Sequence, residues 1–269
     1  MARCGLLAVL IVACAAAGVV AWVWFNLEPL SLARAEALSV TVLDRNDRLL
    51  RAYAAADGRW RLPAGLNDVD PRYLAMLLAY EDKRFRSHRG VDPLALARAG
   101  WLFVRHQRIL SGGSTLTMQV ARLLLGEHER SLSGKIRQAL LALSLERRFS
   151  KDEILGLYLR LAPFGGNLEG VRAASLAYFG KEPHHLSLGE AALLVAIPQS
   201  PQTRRPDRFA AAAQRARDHV LARMLAAGVV SRDDAERATA EPLALPPVVR
   251  REFPMLAPHL ADAEVAQHP

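Results

Sequence analysis

The hydrophobic pattern of the chain begins with one long apolar run and continues as a series of shorter amphipathic segments. Residues 6–25, LLAVLIVACAAAGVVAWVWF, carry no charged side chain. Twenty residues of helix at about 1.5 Å each cross a bilayer core of about 30 Å. The run therefore predicts an uncleaved transmembrane anchor that follows a cytoplasmic N-terminus, residues 1–5. A cleaved signal peptide and a lipoprotein modified at Cys14 are the alternatives.

Behind the apolar run the pattern first becomes that of strands. Residues 26–37 are predicted to form a juxtamembrane linker. In the segment LSVTVLDRNDRLLRAY, apolar and polar positions alternate on both sides of Asn46-Asp47. Alternation around such a turn predicts a small β-hairpin.

Most of the remaining chain has helical periodicity with clear start signals. Asp70-Pro71 places an N-cap before a proline at the first position of the helix RYLAMLLAYE. Similar start signals recur along the chain at Asp92-Pro93, Ser150 with Glu153, Ser187 with Glu190, and Ser231. We predict a mainly α domain over residues 38–230, with PFGGN as a loop. A C-terminal helix and a linker or tail are predicted over residues 231–269.

Charge and cysteine content narrow the classes of partner. The net charge is +8, which fits nucleic acid, an anionic membrane surface or phosphorylated substrates. Export across a membrane argues against nucleic acid and favours lipids or phosphorylated lipid substrates. Both cysteines, Cys4 and Cys14, lie in the N-terminal segment, so disulfides and cysteine-ligated metals are excluded from the folded part.

The segment YEDKRFRSHRG carries the first candidate for chemistry. Glu81 ends an apolar helix, which is a suitable place for a general base. The side chains of Arg84, Arg86 and His88 follow it and are expected to tune the carboxylate or hold an anionic substrate. The alternative is an exposed helix end with ordinary salt bridges.

A glycine loop and a set of cations form the second candidate. In GGST, the glycines allow close backbone approach to a ligand, and the helix N-terminus that follows favours anions. No lysine follows at the P-loop position. Guanidinium groups on the following segments suit a diphosphate, although each could equally belong to a solvated helix face.

The order and spacing of these motifs point to a family. EDKRFRSHRGVDPLALARA, GGSTLTMQVARLL, KIRQALLALSLERRFSKDEILGLYL and LSLGEAALLVAIPQSP together resemble the peptidoglycan glycosyltransferase domain, glycosyltransferase family 51. This domain occurs in class A penicillin-binding proteins and in monofunctional enzymes. The resemblance covers about residues 40–225, and APFGGNLEG and IPQSP are most similar to the 1C subgroup.

The resemblance implies a lysozyme-like, mostly helical fold that polymerises lipid II at the membrane. Glu81 is then the general base that takes the proton of the acceptor's GlcNAc 4-hydroxyl, with inversion at the donor and release of undecaprenyl diphosphate. The first-motif residues that support it are Asp82, Phe85, His88 and Gly90. The residues implied to bind the donor diphosphate and sugar are Ser114, Thr115, Gln119, Arg122, Arg130, Lys135 and Arg147.

One site position departs from the family pattern. Most members have a glutamate where this chain has Gln138, and an amide cannot take a proton. Glu146, two helical turns later, is a candidate substitute; a structural salt bridge with an arginine is the alternative. No cofactor is required by the implied chemistry, and help from a divalent cation, Mg²⁺ or Mn²⁺, stays open.

The resemblance also implies a setting and partners. Lipid II, the growing lipid-linked glycan, the membrane and other cell-wall synthesis proteins are the expected partners, with no nucleic acid. The expected location is the bacterial inner membrane, single-pass, with the catalytic domain on the periplasmic side.

The sequence also limits which further domains and which other functions are expected. No lysine lies in a Ser-x-x-Lys or Lys-Thr-Gly motif. We therefore expect no penicillin binding, and either a monofunctional enzyme or the front part of a 1C-type protein. Two alternative functions remain at this point, namely a scaffold that binds lipid II without turnover and a lysozyme-like lytic enzyme.

Overall fold

The computed structural model describes residues 14, 18, 21, 31–106, 113–126, 131–242 and 250–267. The anchor predicted over residues 6–25 lies outside this part of the chain, apart from three isolated positions. Among the described residues, no helix combines the length and the apolar character needed to cross a bilayer.

The described chain is mainly helical, as the periodicity predicts. The helices are α1 (Ala33–Glu36), α2 (Pro71–Glu81), α3 (Pro93–His106), α4 (Leu116–Leu125), α5 (Leu132–Arg148), α6 (Lys151–Leu161), α7 (Val171–Phe179), α8 (Leu188–Ala196), α9 (Ala210–Ala226), α10 (Arg232–Ala240) and α11 (Pro258–Gln267). Short 3-10 turns occupy Leu66–Asp68, Pro183–His185 and Ile197–Gln199. The side chains of Ser150 and Ser187 cap α6 and α8 in reciprocal capping boxes.

Two small sheets accompany the helices. Strands β1 (Thr41–Leu43) and β2 (Leu49–Ala52) form the predicted antiparallel hairpin. Strands β3 (Trp60–Arg61), β4 (Pro163–Gly165) and β5 (Leu168–Glu169) form a second sheet in the order β3-β5-β4. The prediction of a plain loop at PFGGN is therefore wrong. Its strands are too short for a local alternation signal, and β5 pairs with a strand more than 100 residues earlier.

Helix α8 forms the centre of the core, and it positions the C-terminal end of α2 and the 3-10 turn that follows α8 itself. It is apolar almost all round, and such helices are buried; residues 191–197 are at most 1% exposed. Helices α2 and α9 pack against it. The C-terminal end of α2, at Glu81, and the 3-10 turn that continues α8 to Gln199 meet at one edge of this core.

A juxtamembrane linker was predicted over residues 26–37, but the described part of this segment, residues 31–37, packs against the domain. Its described part contains α1, and the guanidinium of Arg34 in this helix donates to the Glu169 carboxylate at 2.7 Å. The partners are 135 residues apart, so no local pattern could show the contact.

The C-terminal segment packs back onto the hairpin, where a linker or tail was predicted. Met255 bridges to Arg51 of β2, and the ring of Phe253 lies 4.4 Å from the ring of Trp60. Residues 258–267 form α11, whose Asp262 pairs with Arg51 at 3.0 Å. The prolines of this segment led to the prediction of a linker or tail. The contacts that order the segment are with distant residues, which a local sequence pattern does not show.

Candidate active site

Glu81 is the last residue of α2, and its half-buried side chain lines a cavity of about 830 Å³. The cavity lies between the end of α2, the glycine loop with the start of α4, the 3-10 turn after α8, and α9. The residues that line it and that bear on the chemistry are Glu81, Ser114, Thr115, Gln119, Gln199 and Arg223. The structure thus brings the carboxylate and the glycine loop together.

Two amides hold the Glu81 carboxylate. The Nε2 group of Gln119 donates to Oε2 at 2.9 Å, and the Nε2 group of Gln199 donates to Oε1 at 3.0 Å. The sequence motifs implied Gln119, which lies one turn into α4. Gln199 was not among the predicted site residues, although it stands in the IPQSP segment directly after the most apolar helix.

The cations next to Glu81 in sequence are engaged by other carboxylates. Arg84 forms a bidentate ion pair with Asp92, and Arg86 pairs with Asp152 at 2.5 Å. Our expectation that these two arginines tune Glu81 or hold a substrate is not supported by these contacts. The partners lie 8 and 66 residues away in the chain, and folding brings them into contact with the two arginines.

Asp82 and His88 connect α2 to the start of α4. The Nε2 atom of His88 lies 2.9 and 3.0 Å from the two oxygens of Asp82, and both side chains are buried. The backbone N–H of Leu116 donates to Asp82 at 2.9 Å, where the helix N-terminus favours a carboxylate. Phe85, also buried, lies under the ammonium of Lys151, 4.4 Å from its ring centroid. These contacts set the distance between Glu81 and Gln119.

Gly90 allows the segment after His88 to pack against α5, and this segment in turn holds the glycine loop. Its φ is +84°, and a Cβ there would lie 2.7 Å from the carbonyl oxygen of Ala142, so a side chain does not fit. The hydroxyl of Thr115 donates to the Gly90 carbonyl and accepts from the N–H of Met118, which caps α4. The loop that ends in Ser114 and Thr115 is thereby held at the cavity wall.

The cationic side chains predicted to bind the donor diphosphate are exposed where the structure describes them, and one of them lies beside the cavity. Lys135 is exposed and its Nζ donates to Ser114 Oγ at 3.1 Å, directly beside the cavity. Arg122 and Arg147 are exposed in the last turns of α4 and α5. Arg130 lies outside the described residues. Arg223, which the sequence did not indicate, lines the cavity from α9 with its guanidinium 4.2 Å from the Tyr80 ring centroid.

The position of the missing second carboxylate is buried. Gln138 lies on α5 and is 8% exposed. Glu146, the candidate substitute, accepts from the hydroxyl of Thr117 at 2.6 Å and from Lys151 at 2.5 Å. These contacts favour the structural alternative, with a lysine in place of the arginine that we expected. Among the described residues, no group of three or more His, Cys, Asp or Glu side chains is arranged to hold a metal ion.

Two tyrosines form a buried layer near Glu81. Tyr73 and Tyr158 are at most 1% exposed, and within the described chain their hydroxyls have no hydrogen-bond partner. Burial raises the pKa of both hydroxyls, and the negative charge of Glu81 raises the pKa further. Both groups therefore stay protonated and neutral at any working pH, so neither hydroxyl can serve as the base.

Comparisons with known proteins show which family the chain belongs to. A family model described as Transglycosylase matches residues 46–225. Penicillin-binding protein 1C of Escherichia coli (strain K12) is 49% identical over 238 residues, 88% of this chain and 30% of that protein. Penicillin-binding protein 1A of Aquifex aeolicus (strain VF5) is 39% identical over 193 residues, 72% of this chain and 27% of that protein. The chain thus spans less than a third of the length of these relatives.

Among solved structures, penicillin-binding protein 1A from Haemophilus influenzae aligns with a TM-score of 0.45 and 20% identity. The alignment covers 86% of this chain and 24% of that one. A TM-score at this level is too low to establish a common fold.

Proposed function

This chain belongs to the transglycosylase family, and we propose that it polymerises lipid II into the glycan strands of peptidoglycan. The observation that carries the proposal is the Glu81 carboxylate, held by two amides at the wall of a cavity beside the glycine loop. In the proposed reaction the acceptor's 4-hydroxyl enters this cavity and donates its hydrogen bond to Glu81.

The chemistry follows from that contact. As the hydroxyl oxygen attacks the anomeric carbon of the donor, its proton passes to the Glu81 carboxylate. The new glycosidic bond forms while the bond from the anomeric carbon to the diphosphate oxygen breaks. Attack from the face opposite the leaving group inverts the anomeric centre. Undecaprenyl diphosphate departs with the bonding electron pair, so its negative charge grows in the transition state.

Positive groups on α4 and α5 are proposed to stabilise that charge. Lys135 stands beside Ser114 at the cavity wall. Arg122 lies in the last turn of α4, the helix that follows the glycine loop, and Arg147 lies in the last turn of α5, the helix that carries Lys135. Charge-assisted contacts to phosphate oxygens are about twice as strong as neutral ones. The sequence places Arg130 in the same group.

Replacing these cations tests the donor site. We expect Lys135→Ala and Arg122→Ala each to raise the KM for lipid II about tenfold, since each removes a contact with a charged group. The difference from wild type should shrink as salt rises from about 0.05 to 0.5 M, because salt screens exposed charges. The matched control is Arg45→Ala, which removes one exposed positive charge from the hairpin turn. An unchanged KM at low salt would remove both residues from the proposed donor site.

The function itself is tested with the full chain in detergent and labelled lipid II, by gel analysis of glycan polymers. A polymer ladder supports the proposal. Binding of lipid II without polymer would favour the scaffold function. The observation that supports this alternative is Gln138, which stands where most family members have a glutamate. Cleavage of isolated glycan strands would favour the lytic enzyme instead.

We propose that the reaction requires no cofactor, and the same assay tests this point. Initial rates with EDTA, and with added Mg²⁺ or Mn²⁺, should agree within about twofold. A large loss in EDTA that either cation restores would show a metal requirement.

The proposed setting is the bacterial inner membrane, with a single anchor and the cavity on the periplasmic side. The uncharged run at residues 6–25 and the nature of the substrate support this placement. The proposed partners are lipid II, the growing lipid-linked glycan and other cell-wall synthesis proteins.

A further inference from the structure

The segment after α8 contains a hydrogen-bonded pair that ends on the proposed base. The guanidinium Nη1 of Arg204 donates to the carbonyl of Ala196 at 2.7 Å and to Oε1 of Gln199 at 3.1 Å. Ala196 is the last residue of the buried helix α8, and a cation at a helix C-terminus is favourable. Arg204 is therefore anchored at the C-terminal end of the most deeply buried helix of the core.

Arg204 determines which way the amide of Gln199 points. A guanidinium has donors and no acceptor, so it must face the carbonyl oxygen of the amide. The NH₂ group of Gln199 is then turned toward Glu81, where it donates to Oε1 at 3.0 Å. The opposite orientation would set a carbonyl oxygen against the carboxylate and two donors against each other.

The hydrogen bond from Gln199 complements the one that Gln119 of α4 donates to the same carboxylate. Gln119 donates to Oε2 and Gln199 donates to Oε1, so each oxygen of Glu81 accepts one amide hydrogen. A carboxylate oxygen has two lone pairs, and one on each oxygen stays available to an incoming hydroxyl. Hydrogen bonds to the charged form favour that form. Neutral amides do this without pairing the carboxylate with a counter-charge.

From these contacts we propose that Gln199 is a positioning residue for Glu81 and that Arg204 orients it. The inference rests on the proposed function for its catalytic meaning, because it assumes that Glu81 takes the proton. The pair holds the carboxylate in one orientation at the cavity wall.

Other charged groups line the same cavity as Glu81 and are unchanged by substitutions at these two positions. They are Asp82, Lys83, Arg84, Asp92, Arg98 and Arg223. Behind it lie the neutral hydroxyls of Tyr73 and Tyr158, whose pKa is raised by burial. A loss of kcat in Gln199→Leu can therefore be assigned to the lost amide contact, whereas Arg204→Met also removes a positive charge.

The kinetic test uses the full chain and the variants Gln199→Leu and Arg204→Met. We expect kcat for polymerisation to fall about tenfold in Gln199→Leu and less in Arg204→Met, with KM for lipid II nearly unchanged. A general loss of folding or binding would instead raise KM together with the fall in kcat. The control is Gln202→Leu, an exposed glutamine three residues away that does not contact Glu81.

A second readout does not depend on turnover. In protein labelled with ¹³C at glutamate carboxyl carbons, the Glu81 signal is assigned by its absence from Glu81→Gln. Its chemical shift at one fixed pH should change in Gln199→Leu, change less in Arg204→Met, and stay at the wild-type value in Gln202→Leu, because a carboxyl carbon responds to the hydrogen bonds of its oxygens. A chemical shift unchanged in Gln199→Leu overturns the positioning role even if wild type is active. The expected change together with an inactive wild type supports the contact and rejects the proposed function.

Discussion

Glu81→Gln is expected to lower the initial rate of glycan polymerisation by about 10²–10⁴-fold, the usual contribution of a positioned general base. Glutamine has nearly the same shape, so the backbone at the end of α2 and the cavity should persist. It cannot accept a proton, and the neutral tyrosines nearby cannot replace it, since burial keeps their hydroxyls protonated. Lipid II binding should change little, because the donor cations are untouched. Initial rates and binding are both measured with labelled lipid II.

Two further glutamates make this result specific. Glu236→Gln is the matched control, because Glu236 is an exposed residue of α10, and its rate should equal that of wild type. Glu146→Gln tests the candidate substitute carboxylate, which the structure pairs with Lys151. Near-normal polymerisation by Glu81→Gln, combined with a large loss in Glu146→Gln, would show that the base has been assigned to the wrong residue.

The second large effect concerns stability, and we expect Glu169→Ala to lower the free energy of unfolding by about 3 kcal/mol. Glu169 is 1% exposed and accepts from Arg61, which is fully buried, at 2.5 and 2.8 Å. Its other oxygen contacts Arg34 at 2.7 Å and Arg59 at 2.8 Å. Removing one partner leaves a buried charge without its main counter-ion, which typically destabilises by about 3–5 kcal/mol. Asp57, which stays paired with Arg61, places the value at the lower end.

Thermal and denaturant unfolding measure this change. A loss of about 3 kcal/mol corresponds to a fall in Tm of roughly 6–12 °C for a domain of this size. The double variant Glu169→Ala with Arg61→Met should recover part of the loss, because it removes both members of the buried pair. A Tm of Glu169→Ala within about 1 °C of wild type would mean that the arginines around position 169 are solvated well enough without it.

Local chemistry explains why so much of the helical pattern was predictable. Asp70, Ser150 and Ser187 accept from backbone N–H groups one to three residues inside their own helices, so the signal and its partner are both local. The apolar period of α2 likewise places Tyr73, Met76 and Leu77 in the core. The hairpin around Asn46-Asp47 also depends on neighbouring residues, and Asp47 adopts the positive φ that such a turn requires.

The parts of the structure that could not be predicted from the sequence depend on contacts between distant residues. Strand β5 pairs with β3 across more than 100 residues, and the C-terminal segment packs on the hairpin across about 200. Arg84 and Arg86 appeared to surround Glu81 in the sequence, but folding pairs them with Asp92 and Asp152. Electrostatic pairing is decided by distance in space, which order along the chain does not determine.

The sequence by itself determined a mainly helical domain, a glutamate at the end of an apolar helix, and a capped glycine loop, because each depends on residues within a few positions of one another. Only the tertiary structure decided what touches that glutamate. Gln119 and Gln199 approach it from two separate elements, 38 and 118 residues away in the chain, because α4 and the end of α8 pack against the same end of α2. The geometry of a site built from separate elements is set by how the core packs, and a single sequence without that packing cannot specify it.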